Sequence, residues 1–380
     1  MRARDYKIPF SGTPGKYNAI TDVEGVEVGY KTLNFGEPEF NTAATDHFAR
    51  TGVTAILPRG KKKSAVFAGR YDLNGNGELT GTHWIDDYGF VHGPIMITNT
   101  NSVGVVHDAV AKWLVKNKFY YPVYDDGAII EDAYFFYPVV AETCDATLNN
   151  YNGFMVTEQD AIDALESAKT GAIAEGCVGG GTGMVCHEFK GGTGTASRIA
   201  KTRCGEYTVG VLVQANHGTR DELKIAGIPF GKEIEGCNKE IYDKALKPGD
   251  GSIICIVATD APLMPWQLSK LCRHISAGIS DVGGGNGNGS GDIFLAFSTA
   301  NEQAYSYEMS EVKMLSDEQL DPLFLAVRQA TEEAIVNTLI AADDMRGRNR
   351  NFVPALPKDQ IEGILKKYSD YLEKRYGVEI

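Results

Sequence analysis

Residues 247–258 read Lys247-Pro248-Gly249-Asp250-Gly251-Ser252-Ile253-Ile254-Cys255-Ile256-Val257-Ala258. From Ile253 to Ala258 the run is apolar without interruption, rich in β-branched residues and bounded by turn residues, which predicts a central strand buried on both faces. Such a strand needs one layer of structure above it and another below. The Pro-Gly-Asp-Gly lead-in predicts a turn, so Ser252 opens the strand. Further strands are predicted at 25–29, 53–57, 94–98, 137–142, 207–214 and 293–298, and helices at 103–115, 265–277 and 357–371. A helix is also expected from a Thr157 cap to Ala168, with Asp160 completing a capping box. The longest helix is predicted from a Ser316 cap to Ala342, with Leu320, Leu323, Phe324, Val327, Ala330, Ala334, Ile335 and Leu339 on one face. Sheets covered by helices, an α/β fold in one large domain of 380 residues, fit this spacing.

The net charge of -13 disfavours nucleic acid and anionic lipid, and mildly favours cationic ligands such as free amines. No apolar stretch follows the basic start Met1-Arg2-Ala3-Arg4, and none is long enough to span a bilayer, so the cytoplasm is the expected compartment. Seven cysteines occur without a Cys-x-x-Cys pair, which predicts reduced, buried thiols in place of a disulfide framework or zinc ribbon. Seven histidines show no His-Glu-x-x-His spacing, and no Gly-x-Ser-x-Gly elbow is present. Asp72-Leu73-Asn74-Gly75-Asn76-Gly77 begins like a calcium loop, but His83 stands where a bidentate Glu is required. Gly179-Gly180-Gly181-Thr182-Gly183 matches no phosphate-binding pattern and is expected to be a tight loop shaping a cleft.

The chemistry-bearing residues cluster at the ends of predicted strands. The acyl side of the Gly251-Ser252 bond has no side chain, so the Ser252 hydroxyl can approach that carbonyl closely, and Gly251 is free to take strained dihedrals. This suits an N-to-O acyl shift. After hydrolysis, Ser252 would carry a free α-amine whose reference pKa of about 7.7–8.0 suits it to accept the hydroxyl proton. In Gly287-Asn288-Gly289-Ser290-Gly291-Asp292, Ser290 and Asp292 share a face of extended chain and form a candidate relay. Asn216 closes the strand ending in Gln214 and is placed to donate to an oxyanion. Glu142 ends Tyr137-Pro138-Val139-Val140-Ala141, where its carboxylate suits an ammonium group.

These segments, with Asn18-Ala19-Ile20-Thr21-Asp22-Val23, Arg50-Thr51-Gly52-Val53-Thr54, Gly75-Asn76-Gly77-Glu78, Asn99-Thr100-Asn101-Ser102-Val103-Gly104 and Val178 to Met184, resemble the DmpA-like aminopeptidase family along nearly the whole chain. That family comprises L-aminopeptidase D-amidase/esterases and β-peptidyl aminopeptidases. The resemblance implies an αββα four-layer sandwich and self-cleavage before the nucleophile into fragments 1–251 and 252–380. It further implies that the fragments stay together in a homo-oligomer, usually a tetramer of such pairs. It makes Ser252 similar to the nucleophile, Asn216 to the oxyanion donor, Ser290 and Asp292 to the supporting pair, and Glu142 to the group that holds the substrate amine. Cys144 stands where some members carry a Tyr near the substrate, and Asp292 where some carry Glu. The expected substrate is a small peptide, amide or ester with a free N-terminal amine, and no metal or organic cofactor is expected. Two competing readings are an ornithine or glutamate N-acetyltransferase-like enzyme, whose nucleophile is a threonine, and a glycine-rich binding protein that never cleaves.

Overall fold

The computed structural model describes residues 1–119, 137–242, 251–285, 287–306 and 309–378. Residues 247–250 of the turn before Ser252 lie outside the described residues. Along the chain the strands are β1 (Glu27–Phe35), β2 (Ala49–Lys61), β3 (Val66–Gly75), β4 (Phe90–Val91), β5 (Ile95–Asn99), β6 (Val139–Thr143), β7 (Val185–Cys186), β8 (Phe189–Lys190), β9 (Gly192–Thr202), β10 (Gly205–Asn216), β11 (Ser252–Thr259), β12 (Gly291–Ser298), β13 (Met345–Arg346) and β14 (Phe352–Val353). The helices are α1 (Thr82–Tyr88), α2 (Val103–Lys116), α3 (Glu158–Glu166), α4 (Phe230–Glu233), α5 (Pro265–Arg273), α6 (Ile275–Val282), α7 (Asp321–Ala341), α8 (Ile361–Lys367) and α9 (Ser369–Tyr376).

Two sheets carry the fold. One has four strands in the order β1-β2-β5-β6, antiparallel except for the β5–β6 pair. The other has six, β4-β3-β12-β11-β10-β9, antiparallel except for the β11–β12 pair. The strand β11 lies inside the larger sheet, as its unbroken apolar run predicts, and its side chains alternate between two cores. Ile254, Ile256 and Ala258 face the smaller sheet and pack with Ile56, Ile95 and Ile97. Ile253, Cys255 and Val257 face the other way, onto Leu268, Leu271, Ile279, Val327 and Ala330 of α5, α6 and α7. A third core joins Val106, Val110, Trp113, Ala161 and Leu165 of α2 and α3 to Val53, Leu57 and Met96 on the outer face of the smaller sheet. The layers run helix, sheet, sheet, helix, and the fold is the αββα sandwich.

The strand predicted at 25–29 continues to Phe35, and β3 and β9 were not predicted. In β9 the small and polar residues Thr193, Thr195, Ser197 and Arg198 are themselves buried, so no apolar alternation marks the strand. Arg198 pairs with Glu333 of α7 at 2.7 Å, which is what allows a guanidinium to lie in this interior. In β3 the segment that resembled a calcium loop is instead half of an antiparallel ladder, Asp72 opposite Ile293 and Asn74 opposite Asp292. The helix predicted at 265–277 breaks at His274 into α5 and α6, and that predicted at 357–371 becomes a short 3-10 turn followed by α8 and α9. The Thr157–Asp160 capping box forms as expected. Gly179–Gly183 is a buried helical turn, and its first residue takes φ 54°. Its amides are satisfied by threonines of the smaller sheet, Gly179 N–H by Thr32 at 2.9 Å and Gly180 N–H by Thr54 at 3.1 Å. Those donors are therefore not directed at a phosphate.

Candidate active site

The register of the larger sheet aligns the heads and tails of three strands at one end of the sandwich. Ser252, the first residue of β11, lies opposite Asn216, the last of β10, and beside Gly291, the first of β12. Asn216 Nδ2 donates to Ser252 Oγ at 3.3 Å and to the Cys144 carbonyl at 3.0 Å. The Val185 N–H donates to Asn216 Oδ1 at 2.9 Å, which settles which end of the amide faces the serine. The Gly251 carbonyl accepts the Gly291 N–H at 3.0 Å. A Cβ on Gly251 would come within 2.9 Å of the Asn216 carbonyl. Close packing against Asn216 and His217 therefore favours a glycine at this position.

At the head of β12, Ser290 Oγ, one residue before the strand, donates to Asp292 Oδ1 at 2.7 Å, with both side chains buried. Asn74 Nδ2 donates to Asp292 Oδ2 at 3.0 Å. Burial pushes the Asp292 carboxyl above its ordinary range, and the bonds from Ser290 and Asn74 oppose that shift. These two side chains are thus paired with each other, one strand over from Ser252.

Glu142 reaches the same end from the smaller sheet, through β6. Its Oε1 accepts the Glu78 N–H at 3.0 Å and its Oε2 accepts the Thr100 hydroxyl. Gly77 separates it from the larger sheet, since a Cβ there would lie 3.1 Å from Glu142 Oε1 and 3.6 Å from the Gly291 Cα. Burial raises the Glu142 carboxyl above its usual range, only partly offset by its two donors. A buried carboxylate with capacity for a further donor is what an arriving ammonium group complements. Cys144 is half-buried just beyond the end of β6, and burial raises its thiol. The site lies between the sheets, with a hydroxyl and its amide donor on one and a carboxylate on the other.

Residues 18–353 match peptidase family S58. The chain belongs to peptidase family S58. It is 48% identical over 379 residues to a β-peptidyl aminopeptidase of Sphingosinicella microcystinivorans, covering 97% of this chain and 92% of that one. Among solved structures it is similar to the L-aminopeptidase D-Ala-esterase/amidase of Ochrobactrum anthropi, a prototype serine aminopeptidase and a variant of the Ntn-hydrolase fold. There the TM-score is 0.86 at 46% identity, over 97% of this chain and 98% of that one. A β-aminopeptidase of Burkholderia sp. gives a TM-score of 0.84 at 42% identity, covering 97% and 99%. This S58 chain is an aminopeptidase with the Ntn-hydrolase fold, and these relatives do not favour the acetyltransferase reading.

The sequence does not mark the residues that hold these candidate side chains in place. Asn74 was hidden in the calcium-like segment, and Glu78 and Thr100 lay in glycine- and asparagine-rich stretches noted only as motifs. Their signal was density: short polar motifs that the fold collects around one strand end.

Proposed function

We propose that this S58 aminopeptidase matures by cutting its own Gly251-Ser252 bond and then uses Ser252 as an N-terminal nucleophile. Ser252 Oγ attacks the Gly251 carbonyl carbon, the C–N bond breaks, the hydroxyl proton passes to the released nitrogen, and an ester joins the two residues. Water hydrolyses the ester, leaving a Gly251 carboxylate and a free Ser252 α-amine. The observation that carries this reading is the position of Ser252 Oγ, 3.3 Å from Asn216 Nδ2. The Gly291 N–H on the Gly251 carbonyl, at 3.0 Å, is suited to stabilising the charge that the carbonyl develops.

In turnover the α-amine takes the hydroxyl proton, Ser252 Oγ attacks the substrate carbonyl, and Asn216 Nδ2 donates to the oxyanion. The leaving amine receives the proton, and water then releases the acyl group. Because Ser290 gives its hydroxyl proton to Asp292, its oxygen is left to accept from the Ser252 amine. Glu142 receives the ammonium group of the substrate, a small peptide, amide or ester, and Cys144 borders it. Fragments 1–251 and 252–380 remain one αββα domain, since β11 is paired with β10 along its whole length. The processed pairs assemble into a homo-oligomer, a tetramer of pairs, in the cytoplasm. Among the described residues no helix is long and apolar enough to cross a membrane.

A denaturing gel with N-terminal sequencing of the smaller band tests the proposal. Two fragments, the smaller beginning at Ser252, are expected, and Ser252→Ala should run as one intact chain. An intact wild type, as the never-cleaving binding protein would give, or a Ser252→Ala protein cut at the same bond, refutes it.

A further inference from the structure

Beneath the strand end that carries Asn216, the fold brings together three side chains that no spacing in the sequence links. Cys186 closes β7, His187 begins the turn into β8, and His217 follows Asn216 at the end of β10. All three are buried, and one potential ligand atom from each lies within 4.8 Å of the other two. The imidazole rings meet edge to face, with centroids 5.3 Å apart.

The hydrogen bonds around these rings leave nitrogens unused. His187 Nδ1 lies 2.9 Å from the Thr219 carbonyl, which only accepts, so Nδ1 carries the proton. In the neutral ring Nε2 then presents a bare lone pair, and that atom is buried without a hydrogen-bond partner. His217 is buried with neither ring nitrogen partnered. Buried polar atoms are nearly always paired, and two adjacent imidazoles with three orphaned nitrogens between them are a marked exception. An imidazole held through Nδ1–H by a backbone carbonyl, with Nε2 left unbonded, is also the arrangement that metal-binding histidines adopt.

We propose that Cys186, His187 and His217 form a binding site for a thiophilic divalent cation, zinc above all. One sulfur and two imidazole nitrogens are a donor set that zinc favours and that calcium and magnesium do not. Zinc–sulfur and zinc–nitrogen bonds of about 2.3 and 2.0–2.1 Å put tetrahedral ligand atoms roughly 3.3–3.6 Å apart, so the cluster closes by about an ångström on binding. The free His217 ring can swing inward without breaking a hydrogen bond. Binding ionises the Cys186 thiol, and its proton is released to solvent as the sulfur–metal bond forms.

The ion would act as a clip and take no part in the hydrolysis. The His187 N–H already donates to the His217 carbonyl at 2.8 Å, and the Val185 N–H orients the Asn216 amide. A metal across Cys186, His187 and His217 ties this hairpin to the strand end that carries the oxyanion donor. The proposal is independent of whether the chain cleaves itself.

The experiment is zinc titration of chelator-treated full-length protein by calorimetry, with cobalt substitution read by absorption. The expected result is one ion per chain and a sulfur-to-cobalt charge-transfer band. Cys186→Ser should abolish that band, and His187→Phe and His217→Phe should each weaken zinc at least tenfold, with circular dichroism confirming the fold. Cys177→Ser, which alters another thiol nearby, should change neither. Absence of stoichiometric uptake by the folded wild type overturns the site, as does uptake unaltered in Cys186→Ser and His217→Phe. Should those variants misfold, a wild-type cobalt spectrum lacking the thiolate band overturns it alone.

Discussion

Replacing Glu142 by Gln preserves the outline of the side chain and removes its charge. The carbonyl oxygen of Gln can still accept the Glu78 N–H, whereas the amide nitrogen would meet the Thr100 hydroxyl, which can turn to accept in place of donating. Loss of fold is not expected, because burial already disfavours the charged form of Glu142. What disappears is the charge that an incoming ammonium meets in a partly desolvated cleft. A charge-assisted hydrogen bond contributes about 1.5–3 kcal/mol, and at about 1.36 kcal/mol per decade this becomes roughly a ten- to hundred-fold fall in kcat/KM. Self-cleavage should survive, since the Gly251-Ser252 bond lies within the chain and offers no free amine. The assay pairs a denaturing gel with hydrolysis of aminoacyl p-nitroanilides and their N-acetylated forms. Glu142→Gln should give two fragments and poor turnover of the free-amine substrates, while the acetylated ones are weak for both proteins. Equal loss of self-cleavage and turnover would assign Glu142 to holding the fold or the nucleophile. Unchanged discrimination against acetylated substrates would remove its role altogether.

Asn216→Ala should lower kcat by roughly 10²–10³ with a smaller change in KM, the loss typical of one oxyanion donor; an unchanged kcat in steady-state assays would make Asn216 a structural strand end. Asn74→Ala removes a donor from the buried Asp292 and should shift the acidic limb of the kcat/KM profile upward, because the bond from Asn74 holds that carboxyl down; a profile identical to wild type would refute the coupling. Asp145 is fully buried, and burial pushes its carboxyl up to about 7. The native state therefore holds a proton that the unfolded chain, with a reference value of about 3.9, has lost, and stability falls as pH rises between these values by up to about 4 kcal/mol. Asp145→Asn, compared by urea unfolding at pH 5 and 7.5 in the Ser252→Ala background, should flatten that fall; a slope as steep as that of the parent would contradict it.

The candidate site was legible where a polar residue ends or begins an apolar run. Ser252, Asn216, Glu142 and the Ser290–Asp292 pair all stand at such boundaries, because a strand must be apolar through the core and may become polar only where it emerges. Asn74, Thr100 and Val185 act through contacts across distant parts of the chain, and nothing local distinguishes them from ordinary turn and strand residues. Strand β9 was invisible for a related reason: its polar side chains are buried against partners such as Glu333, which a one-dimensional pattern does not contain. Cys186, His187 and His217 belong to this class too, since the hairpin and the strand end that carry them meet only in the folded sheet.

The same apolar pattern that builds the core also positions Ser252. The pairing of β10 with β11 runs from Val209 opposite Thr259 to Asn216 opposite Ser252, through residues that are almost all apolar and buried on alternate faces. A slip of one residue would turn Ile254 and Ile256 towards the helices and Ile253 and Val257 towards the smaller sheet, disturbing two packed cores together. It would also turn Ser252 away from Asn216 and from the end of β6. The register that brings Ser252 Oγ to 3.3 Å from Asn216 Nδ2 is therefore enforced along the strand by burial, and the weak 3.3 Å contact has no need to hold it. Substitutions that loosen this core, such as Ile256→Ala, are therefore expected to lower turnover through that register, although Ile256 packs in the core and not at the strand end.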